Sequence, residues 1–303
     1  MPPADVPPSP VAPTTARKTW RTVEPLHGMI YFAPEAAEAY AALGLRPEAG
    51  YFASRSAPMG AVGAETVIAT FFNVHPRLVR AVLPDAWRTA PPEAILDARR
   101  QAADRALRRL LGDAVGSPEM ARAAELARAA AERASERPAG RPLFAGHAGL
   151  AWPEAAHLVL WHAQSCLREF RGDGHLAALT VAGLDPVEAL VVHVASGEVP
   201  MGFLRSSRGW SDGEWEAGVE RVRVRGWLED APPDGAASAG AGAPPPLNEA
   251  GRAARQRVED ETDRLAVFPY EALGEEGCAE LRALARPFSR AVVDNAGFGA
   301  AAG

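Results

Sequence analysis

Residues 210–228 read Trp210-Ser211-Asp212-Gly213-Glu214-Trp215-Glu216-Ala217-Gly218-Val219-Glu220-Arg221-Val222-Arg223-Val224-Arg225-Gly226-Trp227-Leu228. Ser211 and Glu214 have the spacing of a capping box, in which a hydroxyl and a carboxylate each satisfy a backbone N–H that the first helical turn leaves free. Trp210 and Trp215 flank that box at the spacing of a hydrophobic staple. The pattern predicts a helix over residues 212–224 with Trp215, Val219 and Val222 as its buried stripe, because residues three and four apart share a helical face. Arg225-Gly226-Trp227-Leu228 then ends the helix and starts a strand.

Upstream, Pro153 opens a helix rich in apolar and aromatic residues, among them Leu158, Leu160, Trp161, Leu167 and Phe170. It meets Gly172-Asp173-Gly174, where two glycines permit a kink or unusual backbone geometry, and resumes through residues 175–182. Asp185-Pro186 gives the cap and first turn of a short helix that ends before Gly197. Downstream, the Gly/Ala/Pro/Ser-rich loop 231–246 is too flexible in composition to pack. Leu247-Asn248-Glu249 then opens a long helix through Ala266, and a last helix covers residues 275–295. Helix, short helix, capped helix, strand, loop, strand and long helix is the order of a winged-helix unit.

The first half is also helical. Residues 1–20 are rich in Pro, Ala and Thr and read as a disordered tail, with ordered structure expected from Trp20. An amphipathic helix runs from Pro92 to Leu111. A second arm, residues 117–136, is mostly Ala, Glu and Arg; its helix propensity is high but it has few large apolar residues to bury, which predicts an exposed arm. The Pro- and Gly-containing stretch 137–141 predicts a boundary. The expected organisation is a tail (1–20), an N-terminal helical domain (21–137) and a C-terminal winged-helix domain (142–297) with a flexible wing loop (231–246).

A net charge of -6 gives no general attraction for nucleic acid, so any such contact depends on a local basic patch. Cys166 and Cys278 form neither a CxxC pair nor a disulfide framework, and no apolar stretch reaches the ~20 residues that cross a bilayer. A cytoplasmic location with no membrane partner is expected. The chain has no phosphate-binding glycine loop, no GxSxG elbow and no dinucleotide fingerprint, so no cofactor is expected. His157 and His162, five apart, do not share a helical face, so no metal is expected either.

The segment Trp215–Leu228 followed by Leu247-Asn248-Glu249-Ala250-Gly251-Arg252 is similar to MarR-type regulators, whose recognition helix ends in a short strand and whose post-wing helix opens in this way. Over most of its length, about residues 24–297, the chain resembles the SalK-type actinobacterial helix-turn-helix family. The resemblance is carried by Arg55–Gly60, Phe71-Phe72-Asn73-Val74-His75-Pro76, the Arg171-Gly172-Asp173-Gly174-His175 run and Glu259–Ala266. It implies a DNA-binding regulator and a second, divergent helix-turn-helix unit in the N-terminal half.

The charges of the expected recognition helix oppose that role. Asp212, Glu214, Glu216 and Glu220 stand against Arg221, Arg223 and Arg225, and the wing carries Glu229, Asp230 and Asp234 without a single basic residue. Acidic groups there oppose the phosphate contacts that dominate affinity for DNA. Arg205, Arg208, Arg221 and Arg223 are the candidate DNA contacts. Arg99, Arg100, Arg105, Arg108 and Arg109 on the long N-terminal helix read more simply as a solvated face.

The second candidate is Arg168-Glu169-Phe170-Arg171-Gly172-Asp173-Gly174-His175. Glu169, Asp173 and His175 are candidate acid–base groups, and Arg55, Asn73, His75 and Arg171 are candidate ligand contacts in a pocket between the halves. A plain salt-bridge network, with Asp173 capping the resumed helix, is the competing reading.

The sequence therefore predicts a mainly α protein of two helix-turn-helix-like halves, the C-terminal one a winged helix with a small two-stranded wing. The expected function is a homodimeric DNA-binding regulator sensing a small ligand. The alternative is a small-molecule-binding protein or enzyme using the Glu169/Asp173/His175 cluster.

Overall fold

The computed structural model describes residues 10–230 and 243–295. They are mainly helical. In chain order the helices are α1 (Pro13–Gly28), α2 (Pro34–Ala42), α3 (Pro47–Ser56), α4 (Ala64–Phe71), α5 (Pro76–Arg80), α6 (Asp85–Thr89), α7 (Pro92–Leu111) and α8 (Pro118–Ala134). They continue with α9 (Pro142–Ala148), α10 (Ala156–Val181), α11 (Pro186–Ala195), α12 (Met201–Arg208), α13 (Asp212–Val224), α14 (Glu249–Ala266) and α15 (Gly274–Asn295). Proline opens α1, α2, α3, α5, α7, α8, α9 and α11, where its missing N–H costs no helical hydrogen bond. Helix α1 begins at Pro13, within the stretch whose composition reads as a tail; residues 1–9 lie outside the described residues.

The described residues form two compact units, each assembled from separated stretches. The first contains residues up to 62, 85–174 and 263–295. In it α1 packs on α15, α2 on α7, and α8 on both α15 and the turn at Phe268–Ala272. Helix α8 is not the exposed arm its composition suggests. Ala123, Ala127, Ala130, Ala131 and Ala134 are buried together with Met120, so small side chains supply a contact face by letting neighbouring backbones come close. Nor is α10 interrupted at Gly172-Asp173-Gly174; it is one continuous helix from Ala156 to Val181. The glycines serve close packing instead. A Cβ at Gly174 would stand 2.8 Å from Arg141 Nη1 and 3.3 Å from Leu265 Cβ.

The second unit contains residues 63–84 and 175–262, of which 231–242 lie outside the described residues. Its core joins Leu179, Val187, Leu190, Val191, Leu204, Trp215 and Val222 to Leu228, Leu247 and Val258. Among the described residues there is no β-strand, so the two-stranded wing is corrected. Only an isolated antiparallel bridge joins Leu228 to Leu247. Asn248 N–H donates to Trp227 O at 3.0 Å and Glu229 N–H to Pro246 O at 2.9 Å. The return bond of the Glu229–Pro246 pair needs an N–H that proline lacks, and Pro244 and Pro245 before it lack one too. The pairing stops there. Most of the expected loop, residues 231–242, lies outside the described residues.

Candidate functional site

In the second unit, α12 and α13 are joined by the short turn Gly209-Trp210-Ser211. Gly209 has φ +76°, a left-handed conformation, and a Cβ there would lie 2.5 Å from Leu78 Cδ1. Both facts require glycine. Ser211 Oγ accepts from Glu214 N–H, and Glu214 Oε2 accepts from Ser211 N–H at 2.9 Å, so the capping box forms as its spacing predicts. Trp215 and Val222 are buried, and Trp210 packs against the same core. On the inner side of α13, a Cβ at Gly218 would stand 2.4 Å from Val187 Cγ1, which is how closely α13 approaches α11. A short turn containing a positive-φ glycine, followed by a capped and anchored helix with an exposed outer face, is helix-turn-helix geometry.

His75 ties α5 to this motif. Its Nδ1 accepts from Arg77 N–H at 3.0 Å, so its Nε2–H donates to Glu214 Oε1, also at 3.0 Å. Its ring meets Trp210 edge-on, with 4.6 Å between centroids. Trp210 in turn donates from Nε1 to Asn73 O at 2.9 Å. Hydrogen bonds from Ser211, with a smaller contribution from His75, hold the Glu214 carboxyl down to about 2.

The arginines expected to meet DNA already have carboxylate or hydroxyl partners. Arg205 pairs with Asp212 and Arg223 with Glu220. Arg221 Nε donates to Asp185 Oδ2 at 2.7 Å, and Arg208 Nη1 to Ser207 Oγ at 3.1 Å. Asp212, Glu216 and Glu220 are exposed.

A family model described as a helix-turn-helix family matches residues 16–299. The chain belongs to that helix-turn-helix family. Membership points to DNA-binding regulation in general. No curated protein and no solved structure matches the chain.

This helix-turn-helix protein places the other expected site residues in different surroundings. Asn73, His175 and Arg208 line one cavity of about 210 Å³ in the second unit, together with His193 and Arg255. Thr262 Oγ1 donates to Val258 O at 2.7 Å, so its oxygen accepts from His175 Nδ1–H at 2.9 Å. Glu169, Asp173, Arg55 and Arg171 belong to the first unit. Glu169 is buried between Arg168, whose Nη1 donates to Oε1 at 2.7 Å, and Arg55, whose Nη2 lies 3.6 Å from Oε2. Burial pushes its pKa up, but Arg55, Arg168, His147 and Arg99 outweigh that and hold it at about 2. Arg168 also donates from Nε to Glu24 Oε1 at 2.7 Å. Arg171 pairs with Asp263 at 2.7 Å.

Asp173 is also buried, and it accepts from Phe144 N–H at 3.0 Å in the first turn of α9. It therefore caps a different helix from the one its sequence position suggests. Burial raises its pKa to about 6. Three polar residues escape sequence reasoning. Arg99, read as part of a solvated face, is only 2% exposed, whereas Arg100, Arg105, Arg108 and Arg109 are exposed as expected. His147 is buried as well, and the partly exposed Glu24 joins the network through Arg168. Arg99 is spaced on α7 with the buried Ile95, Ala102 and Ala106, which is the one sequence signal that finds it.

No group of three or more His, Cys, Asp or Glu side chains among the described residues is arranged to hold a metal. No single helix among them is long and apolar enough to cross a membrane.

Proposed function

We propose that this protein is a DNA-binding transcriptional regulator that docks the outer face of α13 on duplex DNA. The observation that carries the reading is the α12–Gly209–α13 motif, capped and anchored as above, in a chain that a helix-turn-helix family model matches almost throughout. The MarR-like aspect is supported by the helix order α11, α12, α13 and α14. Arg205, Arg208, Arg221 and Arg223 supply the phosphate contacts. To do so, three of them exchange an exposed carboxylate for phosphate, a cheap exchange because surface ion pairs contribute only ~0–1 kcal/mol. The carboxylates at the N-terminal end of α13 weaken direct base readout there and shift contact toward its C-terminal half. Two copies acting as a homodimer would present two such helices to half-sites roughly one helical turn apart.

Ligand sensing belongs to the same proposal. The cavity beside Asn73, His175 and Arg208 lies in the unit that carries α13, and it supports a ligand that alters DNA affinity. A mobility-shift assay with the gene's own upstream region tests the reading. A discrete complex that competing unrelated duplex does not remove is the expected result, and its absence at low salt sinks the proposal.

The second reading, a small-molecule-binding protein without DNA, is favoured by the acidic face of α13 and by the polar interior of the first unit. Binding of a small ligand with no mobility shift would select it.

A further inference from the structure

Arg99 is buried in the interior of the first unit, only 2% exposed. Around the buried Glu169 lie the buried Arg99 and the partly exposed Arg55 and Arg168, with the partly exposed Glu24 on the far side of Arg168. Glu24 and Glu169 make their direct pairs with Arg168 and Arg55. Arg99 is left with one bond, from Nη1 to Ser54 O at 3.0 Å. Its Nε and Nη2 are buried with no hydrogen-bond partner. A buried cation with unmet donors is costly unless something pairs with it.

Arg99 lines a cavity of about 360 Å³ that lies wholly within the first unit. Beside it His147, also buried, has an Nε2 without a partner. Part of the wall is aromatic and apolar, and Arg100, Glu93 and Asp97 also line it. Trp152, Trp161, Pro153 and Leu150 line it, and the Trp161 ring lies 5.5 Å from the Arg99 guanidinium carbon. The His162 ring stands edge-on to Trp152 at 4.7 Å, and its Nε2 is 3.9 Å from Cys166 Sγ. Burial and then Arg99 push His162 down to about 4 and His147 well below its usual range, so at neutral pH both rings are uncharged. The acidic groups on the wall are Glu93 and Asp97, both exposed, and Asp97 is paired to Arg100 at 3.0 Å.

We infer that this cavity binds a small aromatic monocarboxylate, its carboxylate on Arg99 and His147 and its ring between Trp152 and Trp161. The planar guanidinium offers its two unmet donors to a carboxylate, and neutral His147 supplies a third from Nε2–H. The indoles and Pro153 take up the ring, and the volume suits one or two fused rings. The site stands on the first unit alone and does not depend on DNA binding.

The test is calorimetric titration of the full chain at neutral pH with benzoate, phenylacetate and naphthoate, each set against its neutral amide. At least one acid is expected to bind about tenfold or more tighter than its amide, because a charge-assisted contact to a buried cation is lost in the amide. Arg99→Met is expected to abolish the preference for the acid while leaving the chain folded, since it removes a cation that lacks a full set of partners. Trp152→Ala, at the partly exposed edge of the cavity, is expected to weaken acid and amide alike and so reports on the wall without touching the charge. Equal affinity for acid and amide, undiminished acid binding by folded Arg99→Met, or no binding of any of the acids up to about 10 mM overturns the inference.

Discussion

Arg225 grips Glu188 with both arms: Nε donates to Oε1 at 2.8 Å and Nη2 to Oε2 at 3.0 Å. The pair links the C-terminal end of α13 to α11, and Glu188 Oε2 also accepts Asp185 N–H to close the capping box of α11. The carboxylate is buried, while Arg225 keeps partial contact with solvent. The angle at which α13 leaves the core therefore depends on a bidentate ion pair as well as on Trp215 and Val222.

Arg225→Met is expected to destabilise the chain by about 1–3 kcal/mol, because a buried carboxylate loses both of its charged donors. Urea unfolding at neutral pH, read by tryptophan fluorescence, measures it. A loss below ~0.5 kcal/mol would show that apolar packing alone fixes α13.

Gly209→Ala is expected to cost more than an ordinary surface substitution. The residue needs a positive φ, and its Cβ would meet the side chain of Leu78. A destabilisation of about 1–3 kcal/mol is expected from strain at such a position. Pairing it with Leu78→Ala separates the causes: relief of the clash recovers part of the loss, and the backbone cost remains.

Asp173 gives a pH signature. Its carboxyl titrates at about 6 in the folded chain against an ordinary 3.8. Between those values the folded chain holds more protons than the unfolded one, so stability falls as pH rises through the interval. The contribution is fully present below the unfolded value and lost above the folded one. Asp173→Asn keeps an acceptor for Phe144 N–H without the titration. Its stability relative to the wild type should therefore rise by roughly 2–3 kcal/mol between pH 4 and pH 7.5, at 1.36 kcal/mol for each pH unit between the two values. Chemical denaturation at several pH values checks this, and a difference that does not vary with pH contradicts it. Glu169 acts in the opposite sense and lower on the scale: its stabilisation is present above 4.5 and is lost as pH falls toward about 2.

On α13, charge removal should act in both directions. Arg221→Gln and Arg223→Gln are each expected to weaken DNA binding on every sequence and to lower the salt slope by about 1. Glu216→Gln removes an exposed carboxylate from the same face and should strengthen binding. Fluorescence anisotropy on one duplex compares all three. Indifference to every substitution would place any DNA contact elsewhere.

Local rules made the C-terminal motif legible. Ser211 with Glu214 and Asp185-Pro186 are short-range signals, and each forms as its spacing predicts. The wing failed because a strand needs a partner with free N–H groups, and the sequence just before Leu247 is Pro244-Pro245-Pro246. The break expected at Gly172–Gly174 is absent for a different reason. Glycine there admits Arg141 and Leu265 from elsewhere in the chain, a tertiary requirement that helix patterns do not encode. Helix α8 packs by its alanines, and a scan for large apolar residues passes over such a face. Arg99 was missed because an arginine among arginines reads as surface unless its register with Ile95, Ala102 and Ala106 is followed.

The most direct test of the central claim is the salt dependence of binding between the purified chain and duplex DNA containing its own upstream region. Four phosphate contacts, from Arg205, Arg208, Arg221 and Arg223, predict a slope of log K against log salt of about −3 to −4, at about −0.9 per contact. Specific binding with that slope supports docking through α13. No binding at low salt, or binding whose slope is unchanged when Arg221 and Arg223 are both replaced by Gln, contradicts it.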